Sequence, residues 1–302
     1  MAAQISIILT RSAGTGISPD IGESISRELR ARSTNAEILF APDGSAAEEM
    51  AKRARRASSV VVAGGGDGTV NAVASALVGS DVALGVLPLG TLNHFARDVG
   101  IPTDLQQALK VIMAGDSIRA DVGEVNGHIF LNNSSLGVYP RMVREREYLR
   151  RSGWGKWPAA LMASVAVLRF YPRFRVRVDA GGESIHRATS FVFVGNNLYR
   201  TEGLSFGRRC SIEEGELCLY VARQANPWTL ARIATTALMK RLSESRDLDT
   251  LSARSIHIEC GRRRLQVATD GEVRTLESPL QYRIRPKALR VIVPSERMRQ
   301  AA

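Results

Sequence analysis

Two short segments of this chain have the residue types and spacing for phosphate chemistry. The first, Gly64-Gly65-Gly66-Asp67-Gly68-Thr69-Val70-Asn71, follows the apolar run Val60-Val61-Val62-Ala63. A strand, a glycine-rich loop and a helix start bring backbone N–H groups and the positive end of a helix to an anion. Glycine suits such a loop because a Cβ would hold the anion away and would resist positive φ. The loop lacks the Gly-Lys-Ser/Thr of a Walker A motif, and Thr69 stands where Gly-x-Gly-x-x-Gly requires its last glycine. A carboxylate among phosphate-facing amides repels a bare phosphate. Asp67 is therefore expected to serve Mg²⁺ or to take a proton from an attacking hydroxyl. The plain alternative is a glycine turn in which Asp67 caps the next helix. The second segment, Leu87-Pro88-Leu89-Gly90-Thr91-Leu92-Asn93-His94-Phe95-Ala96-Arg97, again follows an apolar run and presents Gly, Thr and Asn before a helix.

These loops need strands and helices to hold them, and residues 1–120 supply an alternating pattern. Strands are expected at Ile5–Leu9, Glu37–Phe40, Val60–Ala63 and Val82–Leu87. Helices are expected at Asp20–Arg32, Ser45–Ala57, Asn71–Leu77 and Leu105–Met113. Regular β–α alternation implies a mostly parallel sheet covered on both faces, with ligands beyond the carboxyl ends of its strands. After Ala120 the pattern changes to short strands between turns. These are Asp121–Val125, His128–Ser134, Phe174–Asp179, Thr189–Val194, Glu216–Val221, Ser255–Glu259, Leu265–Thr269, Leu280–Ile284 and Leu289–Val293. That spacing predicts a β-rich antiparallel sandwich or barrel, interrupted by helices at Trp157–Phe170 and after Asn226-Pro227. The domains expected are 1–120, α/β, and 121–302, β-rich, with the last strand free to return to the first.

The 302 residues exceed what a single core usually supports, in keeping with two domains. No apolar run approaches the roughly 20 residues that span a bilayer, and Ala159–Leu168 is the longest candidate. The N-terminus, MAAQISIILTRSAG, has no basic stretch before its apolar one and reads as a first strand, not a signal peptide. Cys210, Cys218 and Cys260 fit neither a disulfide framework nor a closely spaced zinc site. A reduced, cytoplasmic protein is expected. The net charge of +11 is uneven, with −1 in residues 1–120 and +12 in residues 121–302. The second half is thus expected to face something anionic.

The paired glycine loops at this spacing resemble the diacylglycerol kinase catalytic domain, a family that includes bacterial soluble lipid kinases and sphingosine kinases. Asp121-Val122-Gly123, Phe130-Leu131-Asn132 and Asp270-Gly271-Glu272 extend the match over nearly the whole chain. The resemblance implies a nucleotide-binding α/β domain followed by a β-rich domain, with the active cleft between them. It implies ATP and Mg²⁺, contacted by Gly64, Gly65, Gly66, Asp67, Gly68, Thr69 and Asn71 together with Gly90, Thr91 and Asn93. Thr10 begins Thr10-Arg11-Ser12-Ala13-Gly14-Thr15, which retains part of a family segment written Asn-Pro-x-Ser-Gly. Asp270-Gly271-Glu272 aligns with the turn that carries the family's general base, so Asp270, Glu272 and Asp67 are the catalytic candidates. The same Asp-Gly is also the commonest filler of a tight hairpin. Asp121 matches an aspartate of a magnesium-linked network. Glu214, in Ser211-Ile212-Glu213-Glu214-Gly215-Glu216, replaces an aspartate that holds a structural magnesium in some members. His94 replaces the acid of the family's usual Asn-Asp-Phe-Ala.

The activity implied is ATP-dependent transfer of the γ-phosphate to a hydroxyl of diacylglycerol or a related lipid. The alternatives are an NAD kinase-like soluble kinase, which shares the Gly-Gly-Asp-Gly loop, and a catalytically impaired nucleotide-binding regulator. The Leu-Gly-Thr-Leu-Asn segment argues against the first of these; His94 and Glu214 are what favour the second. Partners expected are the lipid substrate, an anionic membrane surface met peripherally and, as a candidate, a second copy of the chain. Nucleic acid is not expected, since no reader motif is present and aromatic residues make up only 6% of the chain. The membrane face is expected at Arg141–Arg151 with the following Gly-Trp-Gly-Lys-Trp. The helix after Pro227 is a second candidate, with Trp228, Ile233, Ala237 and Leu238 near one face and Arg232, Lys240 and Arg241 elsewhere.

Overall fold

The computed structural model describes residues 5–10, 19–31, 36–114, 116–137, 140, 173–197, 213–226, 228–229, 232–233, 246–296 and 298. The expected helix at 157–170, the basic run 141–151 with its tryptophans, residues 11–15, Cys210, Ser211 and residues 237–241 lie outside these. The chain forms two compact units: residues 1–122 with 286–302, and residues 123–285.

In the first unit strands and helices alternate as β1 (Ile5–Thr10), α1 (Pro19–Ala31), β2 (Ala36–Ala41), α2 (Gly44–Ala54), β3 (Val60–Gly65), α3 (Asp67–Leu77) and β4 (Ala83–Pro88). Then come α4 (His94–Asp98) and α5 (Leu105–Ala114). β5 (Ser117–Val125) and β16 (Leu280–Ile292) each run from one unit into the other. The sheet order is β2-β1-β3-β4-β16, and each of these neighbouring pairs is parallel in this unit. β1 and β4 are buried at every position, which is why they read as continuous apolar runs and not as alternating ones. Ser6 in β1 meets that burial by hydrogen bonding the Ser58 hydroxyl at 2.8 Å. On α1 the four-residue spacing points Ile25 and Leu29 into the core. α2 starts where the Asp43 side chain accepts the Ala46 N–H, and α5 where the Asp104 side chain accepts that of Gln107.

In the second unit β6 (His128–Phe130), β7 (Asn133–Gly137), β8 (Phe174–Ala180), β9 (Glu183–Thr189), β10 (Phe191–Asn196) and β11 (Leu217–Ala222) come first. β12 (Leu248–Ala253), β13 (Ser255–Cys260), β14 (Arg264–Thr269) and β15 (Glu272–Glu277) follow. One sheet has the order β12-β11-β10-β7-β14-β15, and its pairs are antiparallel. The other strands of this unit run β16-β13-β8-β9, again antiparallel. Alternation does the packing here. Val176, Val178 and Ala180 of β8, Ile256 and Ile258 of β13 and Leu280, Tyr282 and Ile284 of β16 turn inward. They meet Leu136, Val192, Val194, Leu219, Val221 and Val267 from the other sheet in one core. The fold is therefore a mostly parallel α/β unit and an antiparallel, sandwich-like β unit.

Two expected strands differ in the structure. His128–Ser134 divides into β6 and β7 at Leu131-Asn132, where backbone N–H groups turn to a carboxylate and not to a neighbouring strand. Leu280–Ile284 and Leu289–Val293 merge into the single β16, because Lys287 absorbs the bend at φ 52° while its N–H finds Asp121. Among the described residues no helix is long and apolar enough to cross a membrane.

Inside the sandwich core the Tyr282 hydroxyl and Ser134 hydroxyl lie 3.0 Å apart, both buried. Tyr282→Phe leaves the serine hydroxyl without its partner and is expected to cost about 1–3 kcal/mol. Adding Ser134→Ala removes the orphan and should recover part of that loss. Urea unfolding of the two singles and the double checks this, and purely additive losses would contradict it.

Candidate active site

β1, β3 and β4 end side by side, with Leu9 beside Gly64 and Gly65 beside Pro88. Their carboxyl ends carry Thr10, the Gly66–Thr69 turn and the Gly90–Asn93 loop. The sequence pattern placed the helix start at Asn71, but α3 begins four residues earlier, at Asp67. Gly66 is its N-cap and offers no side chain to the helix's first N–H groups. Those groups have no partner within the helix, so the turn keeps donors free for an anion.

The two glycine loops touch. A Cβ on Gly90 would fall on the Gly66 Cα, so only glycine permits this approach. A Cβ on Gly65 would fall on the Thr69 hydroxyl, and one on Gly64 on the Leu9 side chain. The Leu89 N–H donates to the Gly65 carbonyl at 3.0 Å and closes one loop onto the other. Asn93, held at φ 49°, braces the second loop from within: its Oδ1 accepts the Gly90 N–H at 3.0 Å. Its Nδ2 donates to the carbonyls of Pro88 at 3.1 Å and Gly90 at 2.9 Å. Gly90 thus contributes a bare Cα, its N–H being spent on Asn93. Thr91 and Leu92 stand exposed at the loop tip.

Asp67 links the loops electrostatically. Its Oδ1 accepts the Phe95 N–H at 3.2 Å, joining the first turn of α3 to the first turn of α4. Its Oδ2 has no hydrogen bond among the described residues and remains available for a cation or a hydroxyl. The Thr10 hydroxyl at the end of β1 is buried and likewise has no partner among the described residues. Asn71 lies one turn into α3, nearly buried, with Ser75 donating to its carbonyl at 2.9 Å. His94, the first residue of α4, is exposed.

The remaining candidates divide by role. Asp121 is buried in β5, and its Oδ1 accepts the Lys287 N–H at 2.8 Å. Asp270 and Gly271, at φ 48° and 87°, form the two-residue turn of the β14–β15 hairpin. From there the Asp270 carboxylate accepts the N–H of Leu131 at 2.7 Å, of Asn132 at 2.8 Å and of Asn133 at 3.0 Å. It pins the β6–β7 bend in place, which sequence patterning missed because the partners lie almost 140 residues away. Glu272 is exposed and pairs with Arg274 at 3.1 Å. Glu214 is exposed beside Gly215. Among the described residues no group of three His, Cys, Asp or Glu is arranged to hold a metal ion, so Asp67, Asp121 and Glu214 do not form a protein-only metal site. Magnesium tolerates this, since it commonly takes one or two carboxylates and completes its shell with phosphate oxygens and water.

Comparison with known proteins places this geometry. Residues 4–125 match the diacylglycerol kinase catalytic domain, and residues 144–293 match the YegS C-terminal NAD kinase β-sandwich-like domain. The chain belongs to the diacylglycerol kinase catalytic-domain family. It is similar to the lipid kinase YegS of Escherichia coli K12, 45% identical over 165 residues, which are 53% of this chain and 54% of that one. The match to this relative spans about half of its length. An uncharacterized Synechocystis protein is 27% identical over 263 residues, 83% of this chain and 60% of that one. The fold is shared with a diacylglycerol kinase crystal structure from Bacillus anthracis, at TM-score 0.74 and 24% identity over 97% of both chains.

Asp270→Asn should cost about 1–3 kcal/mol, because an amide NH₂ then faces backbone N–H groups that had an acceptor. Glu272→Gln, on an exposed ion pair, should change stability by less than about 0.5 kcal/mol. Chemical denaturation of the two variants reads the difference directly, and equal midpoints would refute the assignment of Asp270 as the brace.

Proposed function

We propose that this protein is an ATP-dependent lipid kinase that transfers the γ-phosphate to a hydroxyl of diacylglycerol or a related lipid. The observation that carries the reading is the contact of Gly66 with Gly90 beside Asp67 in the first turn of α3. Bare backbone at two strand ends, a helix N-terminus with no side-chain cap and one carboxylate oxygen without a partner among the described residues suit a polyphosphate with its cation. The Thr10 hydroxyl at the same strand ends, without a partner among the described residues, adds a donor of the right kind.

Each residue has a definite task under this reading. The N–H groups at the start of α3 bind phosphate oxygens, and the helix dipole favours their charge. Asp67 would hold a magnesium ion, which would neutralise charge on the phosphates. The Phe95 N–H keeps the Asp67 carboxylate from swinging away. Asn93 holds the Gly90 loop against Gly66, so the cradle is formed before anything binds. A carboxylate must accept the proton of the attacking hydroxyl. Asp270 and Glu272 are the groups assigned that task, since Asp67 is given to the metal. Asp270 is fixed by three backbone donors, whereas Glu272 pairs with an exposed arginine.

Asp67→Ala should reduce transfer of labelled phosphate from ATP to diacylglycerol in mixed micelles by at least about 100-fold. The thermal midpoint should stay within a few degrees of wild type. Turnover within about threefold of wild type, a barrier change near 0.65 kcal/mol, would remove Asp67 from the mechanism. Labelled NADP⁺ formed from NAD⁺, with no labelled lipid, would replace the lipid reading by the NAD kinase one.

A further inference from the structure

Trp228 is the most exposed large apolar side chain among the described residues, at 79%. It is not loosely placed. The Asn226 Oδ1 accepts the Thr229 N–H at 2.7 Å and fixes the start of a helical turn. Thr229 is fully buried, and Ile233 packs with Cys218, Tyr220, Ala222 and Leu248 on β11 and β12. Trp228 and Ile233 therefore do not share a face, contrary to the sequence expectation. At about 100° per residue, five residues turn the helix well past the angle at which two side chains point together. With Thr229 and Ile233 anchored in the protein, Trp228 cannot turn inward without pulling them out. An indole held outward in this way leaves a large apolar area in water unless something covers it.

Its surroundings define what that something is. Arg232, one turn further on and on the Trp228 side, pairs with Asp247 through two bonds of 2.6 and 2.8 Å. Arg223 and Arg187 both engage Asp249 at 2.8 Å, and the Arg223 N–H donates to the Asp247 carbonyl at 2.9 Å. Arg246 is exposed beside them. Three guanidinium groups, those of Arg187, Arg223 and Arg232, thus share two carboxylates. The carboxylates lie underneath, 21% and 13% exposed, whereas Arg232 and Arg223 are 62% and 52% exposed. The outward surface is cationic around an indole.

We propose that this patch, Trp228 with Arg187, Arg223, Arg232 and Arg246, docks the protein on an anionic phospholipid bilayer. Indole settles at the level of the headgroups, with its apolar body toward the acyl chains and its N–H toward water and phosphate. Guanidinium groups at the same height pair with lipid phosphates through planar, two-point contacts. The inference gives the lipid-kinase reading a site for meeting its substrate's bilayer and rests on that reading for its purpose. The docking itself requires no nucleotide.

The test uses the full-length chain, without ATP, and vesicles of phosphatidylcholine alone or mixed with phosphatidylglycerol. Wild type should co-sediment with the mixed vesicles and weakly with the neutral ones. Trp228→Ala should lower the mixed-vesicle partition on the order of tenfold, because interfacial binding scales with buried apolar area as well as charge. Arg246→Gln should lower it about fivefold, each cation near the surface contributing ~1 kcal/mol. Replacing the other two tryptophans, as W154F/W157F, leaves Trp228 as the sole indole, and its emission should shift to the blue on mixed vesicles. Unchanged partition of Trp228→Ala at an unchanged thermal midpoint overturns the proposal, as does emission that does not move. Wild type that ignores vesicles but self-associates through Trp228 in sedimentation velocity also overturns it, and assigns the patch to a second copy. Turnover of Trp228→Ala on a short-chain lipid in detergent should equal that of wild type. If neither protein turns over, the kinase reading fails while the vesicle result stands.

Discussion

The close approach of Gly66 to Gly90 is the constraint on which the paired glycine loops of the first unit depend. Two loops leaving adjacent parallel strands can share one anion only if their backbones come nearly into contact, and any Cβ at position 90 would forbid it. The parallel register of β3 and β4 sets the two loop origins level, with Gly65 beside Pro88. The hydrogen bond from the Leu89 N–H to the Gly65 carbonyl then holds them together. Asn93 keeps its loop folded back at left-handed φ, a conformation that asparagine tolerates better than most residues. Asp67 joins the second loop's helix to the first through the Phe95 N–H. The apolar β3 and β4 give this arrangement a rigid base, so the cradle sits on buried strands and not on a free loop.

The carboxylates of this chain illustrate how one residue type takes different roles according to its hydrogen bonds. Asp67 spends one oxygen on the backbone and keeps the other available. Asp121, buried, receives the N–H of Lys287, where β16 would otherwise be interrupted. Asp270 gathers three N–H groups with both oxygens and decides where β6 ends and β7 begins. Asp247 and Asp249 lie beneath arginines whose guanidinium groups reach the surface. The excess of positive charge in residues 121–302 therefore includes an organised surface around Trp228, not only scattered solvated side chains.

Much of this architecture was legible from residue pattern. The β–α alternation, the two glycine loops and the helix cap at Asn226 follow from local chemistry, and the structure has them where the sequence indicates. The apolar pattern does not mark β9, β12 and β15. All three are edge strands of their sheets, where few side chains are buried and the apolar alternation is correspondingly faint. Glycine and aspartate in Asp67-Gly68 read as loop in the sequence, whereas the packing of Val70 and Val73 brings that turn into α3. The division of β6 from β7 depends on Asp270, and the continuity of β16 depends on Asp121 bonding to Lys287. Neither long-range bond leaves a local mark. In the site, the residue types were readable, but not that Asn93 braces its own loop or that Asp67 stands inside a helix.

The proposed nucleotide cradle depends on the bare backbone at Gly90, and calorimetric titration of Gly90→Ala with ATP and magnesium measures that dependence most directly. Circular dichroism and the thermal midpoint of the same sample establish that the variant is folded. The variant should fold, and its ATP affinity should fall by at least about tenfold, since a Cβ must push the second loop off Gly66. A folded Gly90→Ala protein that binds ATP as tightly as wild type would contradict it.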